Sequence, residues 1–170
     1  NVLAQPYQLE QESIYCSASI GVAIYPTDAT DIGSLMRNAD QAMYGAKEKG
    51  RNSIHYFTEN MRTDFLKRIQ LIQDMRDAVQ QQQFHIVYQP IVNLQTNELS
   101  KAEALIRWQH PEKGLISPLE FIPLAEETGL IIEISDWIFQ EVSQQVKIWR
   151  QTYCPDLQIS INTSPVQYKD

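Results

Sequence analysis

The chain has 170 residues, a formal net charge of −7, 43% hydrophobic residues and only 6 glycines. That length holds one sizeable core or two small domains, and the composition is that of a folded globular protein. The acidic balance argues against a nucleic-acid polymer as partner, because phosphate backbones select basic faces; a small nucleotide held through a metal ion stays open.

Ser13 to Pro26, SIYCSASIGVAIYP, reads as a strand rich in Ile, Val and Tyr and ended by proline. A helix follows, with Asp31 as N-cap, Leu35, Ala39, Ala42 and Ala46 at helical spacing, and Gly50 as the stop after Lys47 and Lys49. SIHYF, Ser53 to Phe57, is a second short strand. Residues 1–57 thus make a strand–helix–strand block too small to bury its faces alone. Residues 58–83 carry Phe65, Ile69, Ile72, Met75 and Val79 along one stripe, which predicts a single connecting helix to about Gln82.

The block 84–170 opens with strands over FHIVYQPIVNL and LSKAEALIRW, joined by a QTNE turn and followed by a loop, HPEKGLI. SPLEFIPLAEETG starts a helix, with Ser117 at the N-cap, Pro118 at N1 and Glu120 closing a capping box; Gly129 ends it. A long amphipathic helix capped by Ser135 follows, then a strand, LQISINTS. Hairpin, helices, strand is the opening of an α/β domain whose later strands run parallel.

The strand faces carry a signal. Glu103, Leu105 and Arg107 alternate against Ala102, Ala104, Ile106 and Trp108, and Gln158, Ser160, Asn162 and Ser164 alternate against Leu157, Ile159, Ile161 and Thr163. Gln89 interrupts an apolar segment just before Pro90. If helices cover the apolar faces, the polar faces converge on the other side, which in a closed (β/α) barrel is the interior. The pattern alone leaves open an antiparallel sheet with one wet face. His55, His85 and His110 show no metal-ligand spacing, and Trp108, Trp137 and Trp149 read as packing aromatics. Cys16 and Cys154 are unpatterned, which predicts reduced thiols and a cytoplasmic domain. No run reaches the 18 apolar residues of a membrane helix. The chain begins at Asn1 rather than Met, so a longer parent is expected, with room upstream for targeting or membrane segments.

Taken together, YQPIV, then EALIRWQHPEKGLISPLEFIPLAEETGLI, a tryptophan-bearing helix and SINTS resemble the EAL family of cyclic-di-GMP phosphodiesterases, from about Met75 to Asp170. SASIGVAIYP followed by ADQAMYGAKEKGRNSIHYF resembles the C-terminal third of a GGDEF domain, the diguanylate cyclase fold. The implied architecture is α/β: an α+β ferredoxin/cyclase-like fragment over 1–57, a connecting helix over 58–83, and over 84–170 the first part of an EAL-type (β/α) TIM barrel. A complete barrel of that kind takes about 250 residues. The resemblance places the GGDEF turn and the inhibitory-site motif before Asn1. It places the later Asp pair, Glu and Lys of the EAL site after Asp170. An open sheet also predicts self-association, a homodimer among the outcomes. The sequence INTS departs slightly from the Asn-Leu-Ser or Asn-Val-Ser frequent in the family.

The activity implied is metal-dependent hydrolysis of one phosphodiester bond of cyclic-di-GMP to linear pGpG in bacterial second-messenger signalling, with Mg²⁺ or Mn²⁺ on hard oxygen ligands. By resemblance, Glu103 is catalytic and a metal ligand, Asn162 is a metal ligand, and Gln89, Leu105 and Arg107 contact substrate. In the GGDEF part, Lys47 and Arg51 match positions that touch nucleotide phosphates, although helix-terminal charge accounts for them as simply. Two other functions fit the resemblance: an EAL domain that has lost catalysis and serves as a cyclic-di-GMP receptor, or cyclase activity from the GGDEF half. The chain by itself is expected to be inactive.

Overall fold

A computed structural model describes residues 5–10 and 12–168. It divides into two compact units between Ile69 and Gln70.

In the first unit, β1 (Tyr7–Leu9) pairs antiparallel with β2 (Glu12–Ile14), and β3 (Ile20–Val22) pairs parallel with β4 (Ile54–Tyr56) across α1 (Ile32–Glu48). The single strand expected over Ser13 to Pro26 is therefore two. Each serves a different sheet, and the small residues Ser17, Ala18 and Ser19 between them offer little to pack on a pleated surface. The α1 signals hold: the Asp31 carboxylate accepts from the Ser34 amide at 2.8 Å, and Gly50, just past the C-cap, has φ +108°. Ala42 and Ala46 are fully buried on α1. A Cβ on Gly21 would lie 1.9 Å from the Ala39 carbonyl oxygen and 2.2 Å from the Met43 nitrogen, so β3 runs directly on the α1 backbone. Gly21→Ala is expected to cost this unit about 3 kcal/mol through overpacking against backbone that cannot yield. Faster amide exchange along α1 in the variant checks it.

The division between units falls within α2 (Glu59–Gln80), the helix expected from the stripe. Its row buried in the second unit is Leu71, Met75 and Ala78, with Ile72 and Val79 alongside, while Ile69 is exposed. The buried face thus centres on Met75 and includes the small Ala78, which a count of large side chains passes over.

The second unit is built on β6 (Leu99–His110). It pairs antiparallel with β5 (Phe84–Val92) and with β7 (Gly114–Ile116), and parallel with β8 (Gln158–Ile161). The α/β expectation of a hairpin followed by a parallel strand holds. Between β7 and β8 run α3 (Pro118–Thr128) and α4 (Leu130–Thr152). Trp108, Phe121, Met75 and Ile134 are the largest fully buried side chains, and the Trp108 and Phe121 rings meet edge-on at 5.5 Å. The Trp108 indole N–H donates to Gln83 Oε1 at 3.0 Å, so the buried ring leaves no polar atom unpaired.

Expectations about the helix starts, and then about one loop, are corrected. Ser135 does not cap the second helix: it is buried inside α4, which starts at Leu130 directly after Gly129. Gly129, at φ +77°, both ends α3 and begins α4, because burying Ile131 and Ile134 favours helix through residues a polar cap would have excluded. The cap of α3 also differs from a capping box, since the Ser117 hydroxyl accepts from the Leu119 amide. Nor is HPEKGLI a loop. β6 runs on to His110 and turns into β7, with Gly114 at φ +72°.

A polar cluster ties that hairpin to α2. The buried His110 ring accepts the Glu112 and Lys113 amides at Nδ1, both at 3.1 Å, which leaves its proton on Nε2 to donate to Asp74 Oδ2 at 3.1 Å. Lys113 Nζ and Gln70 Nε2 also donate to Asp74, at 2.6 and 2.8 Å. Burial pushes the Asp74 carboxyl up, but the bonds from Lys113, Gln70 and His110 outweigh it and hold it below the ordinary 3.8. A carboxyl so depressed in the folded state adds stability that is present above the ordinary value and is lost as pH falls through the folded one. Asp74→Asn is expected to lower stability by about 2 kcal/mol at neutral pH, with the difference shrinking in acid. Urea unfolding followed by tryptophan fluorescence checks it, since Trp108, Trp137 and Trp149 all lie in this unit. Among the described residues no helix is long and apolar enough to cross a membrane.

Candidate functional site

Strand alternation sets the site. On β6, Ala102, Ala104 and Trp108 are buried, whereas Glu103, Leu105 and Arg107 on the opposite face are half-buried. The register places Gln89 of β5 directly across from Glu103 on one side, and Ser160 of β8 directly across on the other. Asn162, one residue past the end of β8, donates from Nδ2 to Glu103 Oε1 at 2.7 Å. Two distant segments thus meet at one carboxylate, and the amide across the β5 ladder borders it.

Leu105 lies opposite Val87 and Arg107 opposite His85, further along the same face. Arg107 Nη1 donates to the Ile106 carbonyl at 2.8 Å, which leaves most of its five N–H donors to other partners. A cavity of about 230 Å³ lies beside the strand, lined mostly by apolar side chains such as Ile106, Phe121 and Ile134; Arg107, Glu126 and Asn162 also line it, whereas Glu103 and Gln89 do not. Lys47 and Arg51 belong to the first unit. Lys47 is exposed in the last turn of α1, and Arg51, at φ +60°, donates its amide to the Ala46 carbonyl. Both places are those of a helix terminus.

Ser164 departs from the alternating face on which the sequence puts it beside Asn162. β8 ends at Ile161, the period of two lapses, and Ser164 turns inward to a buried position where its hydroxyl donates to Glu126 Oε1 at 2.7 Å. Sequence reasoning missed Glu126 for want of a partner, since Ser164 lies far along the chain. It passed over Asp74 and His110 as a pair for the same reason. Among the described residues no group of three or more His, Cys, Asp or Glu side chains comes together as a metal cluster.

Residues 72–170, more than half of the chain, match the model of the EAL domain. The chain belongs to the EAL domain family. Residues 1–53 match the diguanylate cyclase GGDEF domain. The chain is 41% identical over 166 residues to the bifunctional diguanylate cyclase/cyclic di-GMP phosphodiesterase MucR of Pseudomonas aeruginosa, covering 98% of the chain and 24% of that protein. It is 38% identical over 168 residues to the cyclic di-GMP phosphodiesterase PdeR of Escherichia coli, covering 99% of the chain and 25% of that protein. The chain therefore spans about a quarter of the length of these curated relatives. Among solved structures, the PaMucR phosphodiesterase in complex with c-di-GMP superposes with a TM-score of 0.56 at 40% identity, over 58% of this chain and 40% of that one. The Xanthomonas citri FimX EAL domain superposes at 0.54 with 24% identity over 64% of this chain and 42% of that one, a likeness of fold alone. The β5–β8 unit is accordingly part of an EAL-type, TIM-barrel-like fold, and its Glu103 is the glutamate of the EAL tripeptide.

The Glu103–Asn162 contact carries a test of the site's charge. Asn162→Asp sets a second carboxylate against Glu103, and like-charge repulsion at a solvent-facing pair is expected to cost about 1 kcal/mol. Thermal melts in chelator check it: the variant should melt a few degrees lower than the wild type.

Proposed function

We propose that this EAL unit belongs to a cytoplasmic, metal-dependent phosphodiesterase that opens cyclic-di-GMP to linear pGpG, with residues 84–170 the N-terminal part of its EAL domain and residues 1–57 the C-terminal part of a GGDEF domain. The observation that supports it best is the convergence of Glu103 and Asn162 at 2.7 Å, with Gln89 in register beside them.

The donor chemistry fits a hard divalent cation. A carboxylate and a side-chain amide carbonyl are oxygen ligands of the kind Mg²⁺ and Mn²⁺ take; Glu103 and Asn162 would hold such an ion, Asn162 through Oδ1 once its amide turns from the Nδ2 contact made here. Such an ion supplies positive charge to the anionic diester and acidifies water for attack. The rest falls to the chain's own side chains. Gln89 presents an amide that can donate and accept at a guanine edge or a phosphate. Arg107 turns a planar fork of donors toward phosphate oxygens, where paired hydrogen bonds fix orientation as well as charge. Leu105, between Glu103 and Arg107 on the same face, offers an apolar surface against a base and keeps water off it.

The test uses the full-length protein with cyclic-di-GMP and Mn²⁺, read by chromatography of the linear product. Glu103→Ala is expected to lower turnover by more than the ten- to hundredfold typical of groups that merely orient a ligand. Product from the wild type that persists in Glu103→Ala would remove Glu103 from the chemistry. Binding without product from either protein would make the unit a cyclic-di-GMP receptor instead.

A further inference from the structure

Asn162 stands outside the ladder that should hold it. The β6–β8 register ends at Ala104 opposite Ile161, and Asn162 and Thr163 are both exposed. An exposed amide on unpaired backbone would sample many rotamers, yet this one sits 2.7 Å from Glu103. The chain is caught again at Ser164, which is buried between exposed neighbours on either side.

Ser164 is held on two sides. Its amide donates to Gln167 Oε1 at 2.8 Å, its carbonyl accepts from the Gln167 amide at 3.1 Å, and its hydroxyl accepts from the Val166 amide at 3.2 Å. These three bonds close the 3₁₀ turn over Pro165–Tyr168 on itself. The bond that reaches beyond the turn is the hydroxyl's own donation to Glu126 Oε1, at 2.7 Å. A hydroxyl donating to a carboxylate is charge-assisted and stronger than a neutral pair. Glu126 lies in the last turn of α3, next to Ala125 and Leu124 in the core, so the anchor is rigid.

We propose that Glu126 is a positioning residue for the Glu103–Asn162 pair: by holding Ser164 it fixes the backbone that delivers Asn162 to Glu103. The consequence for turnover rests on the phosphodiesterase reading; the consequence for geometry does not. Gln at 126 keeps an acceptor oxygen for the Ser164 hydroxyl, whereas Ala at 126 or at 164 removes the bond from one side or the other.

The experiment takes Glu126→Ala, Glu126→Gln, Ser164→Ala and the Glu126→Ala/Ser164→Ala double variant of the full-length protein. It reads the Asn162–Glu103 distance in their crystal structures, and kcat and KM for cyclic-di-GMP with Mn²⁺. The contact is expected to be lost in both alanine variants and kept in Glu126→Gln. Turnover should fall about ten- to hundredfold in each alanine variant, as for loss of a group that orients a ligand. KM should change less than about threefold, Glu126→Gln should recover most of kcat, and the double variant should be no worse than either single one. If Glu126→Ala does not fold, Ser164→Ala removes the same bond together with the Val166 amide's acceptor, and Glu126→Leu, which leaves the Val166 bond in place, separates the two. A contact that persists without the Glu126–Ser164 bond overturns the proposal, as do alanine effects that add in the double variant. A contact that moves as expected in a protein with no turnover upholds the positioning role and overturns the phosphodiesterase reading alone.

Discussion

The pairing of β6 with neighbours on both edges fixes which way the side chains of β5, β6 and β8 can point. Side chains alternate along a strand, so burying Ala102, Ala104 and Trp108 forces Glu103, Leu105 and Arg107 to the other face. A slip of one residue would drive the Glu103 carboxylate into the core and the Trp108 ring into water, a change costly enough to hold the register. The same register brings Gln89 and Ser160 level with Glu103.

A site made this way is half rigid and half delivered. Glu103 and Gln89 ride on a ladder of backbone hydrogen bonds. Asn162 comes from the end of β8, where the ladder stops and side chains of the following turn and of α3 take over the constraint. Polar residues just past strand C-termini are common at functional sites in barrels, because backbone there is free of sheet pairing and can turn a side chain toward a ligand. That freedom has to be limited by something, and Ser164, buried and bonded to Glu126, limits it.

At the other end of β6 the same logic serves stability. His110 is buried and its two ring nitrogens are both used, one by the turn amides and one by Asp74. Asp74 in turn is shared with Lys113 and Gln70. A fully satisfied cluster of this kind holds the β6–β7 hairpin against the second half of α2 without leaving a charge stranded.

The sequence by itself determined most helix ends and the two faces of β6. Asp31, Ser117, Gly50 and Gly129 mark helix ends through backbone chemistry that is local, and the Glu103–Leu105–Arg107 alternation is visible in any five residues around it. The GGDEF-then-EAL order was legible for the same reason, since its motifs are contiguous strings. Only the tertiary structure decided the rest. It split the long strand of the first unit between two sheets, moved the start of α4 back to Leu130, and turned HPEKGLI into a hairpin. Each was settled by a partner far along the chain: β4 for β3, the buried core for Ile131 and Ile134, Asp74 for His110. Asn162 at Glu103 and Ser164 at Glu126 are of the same kind, the partners lying 59 and 38 positions apart in the chain. Hydrogen bonds and burial over such separations follow from how the chain packs, and no local spacing encodes them.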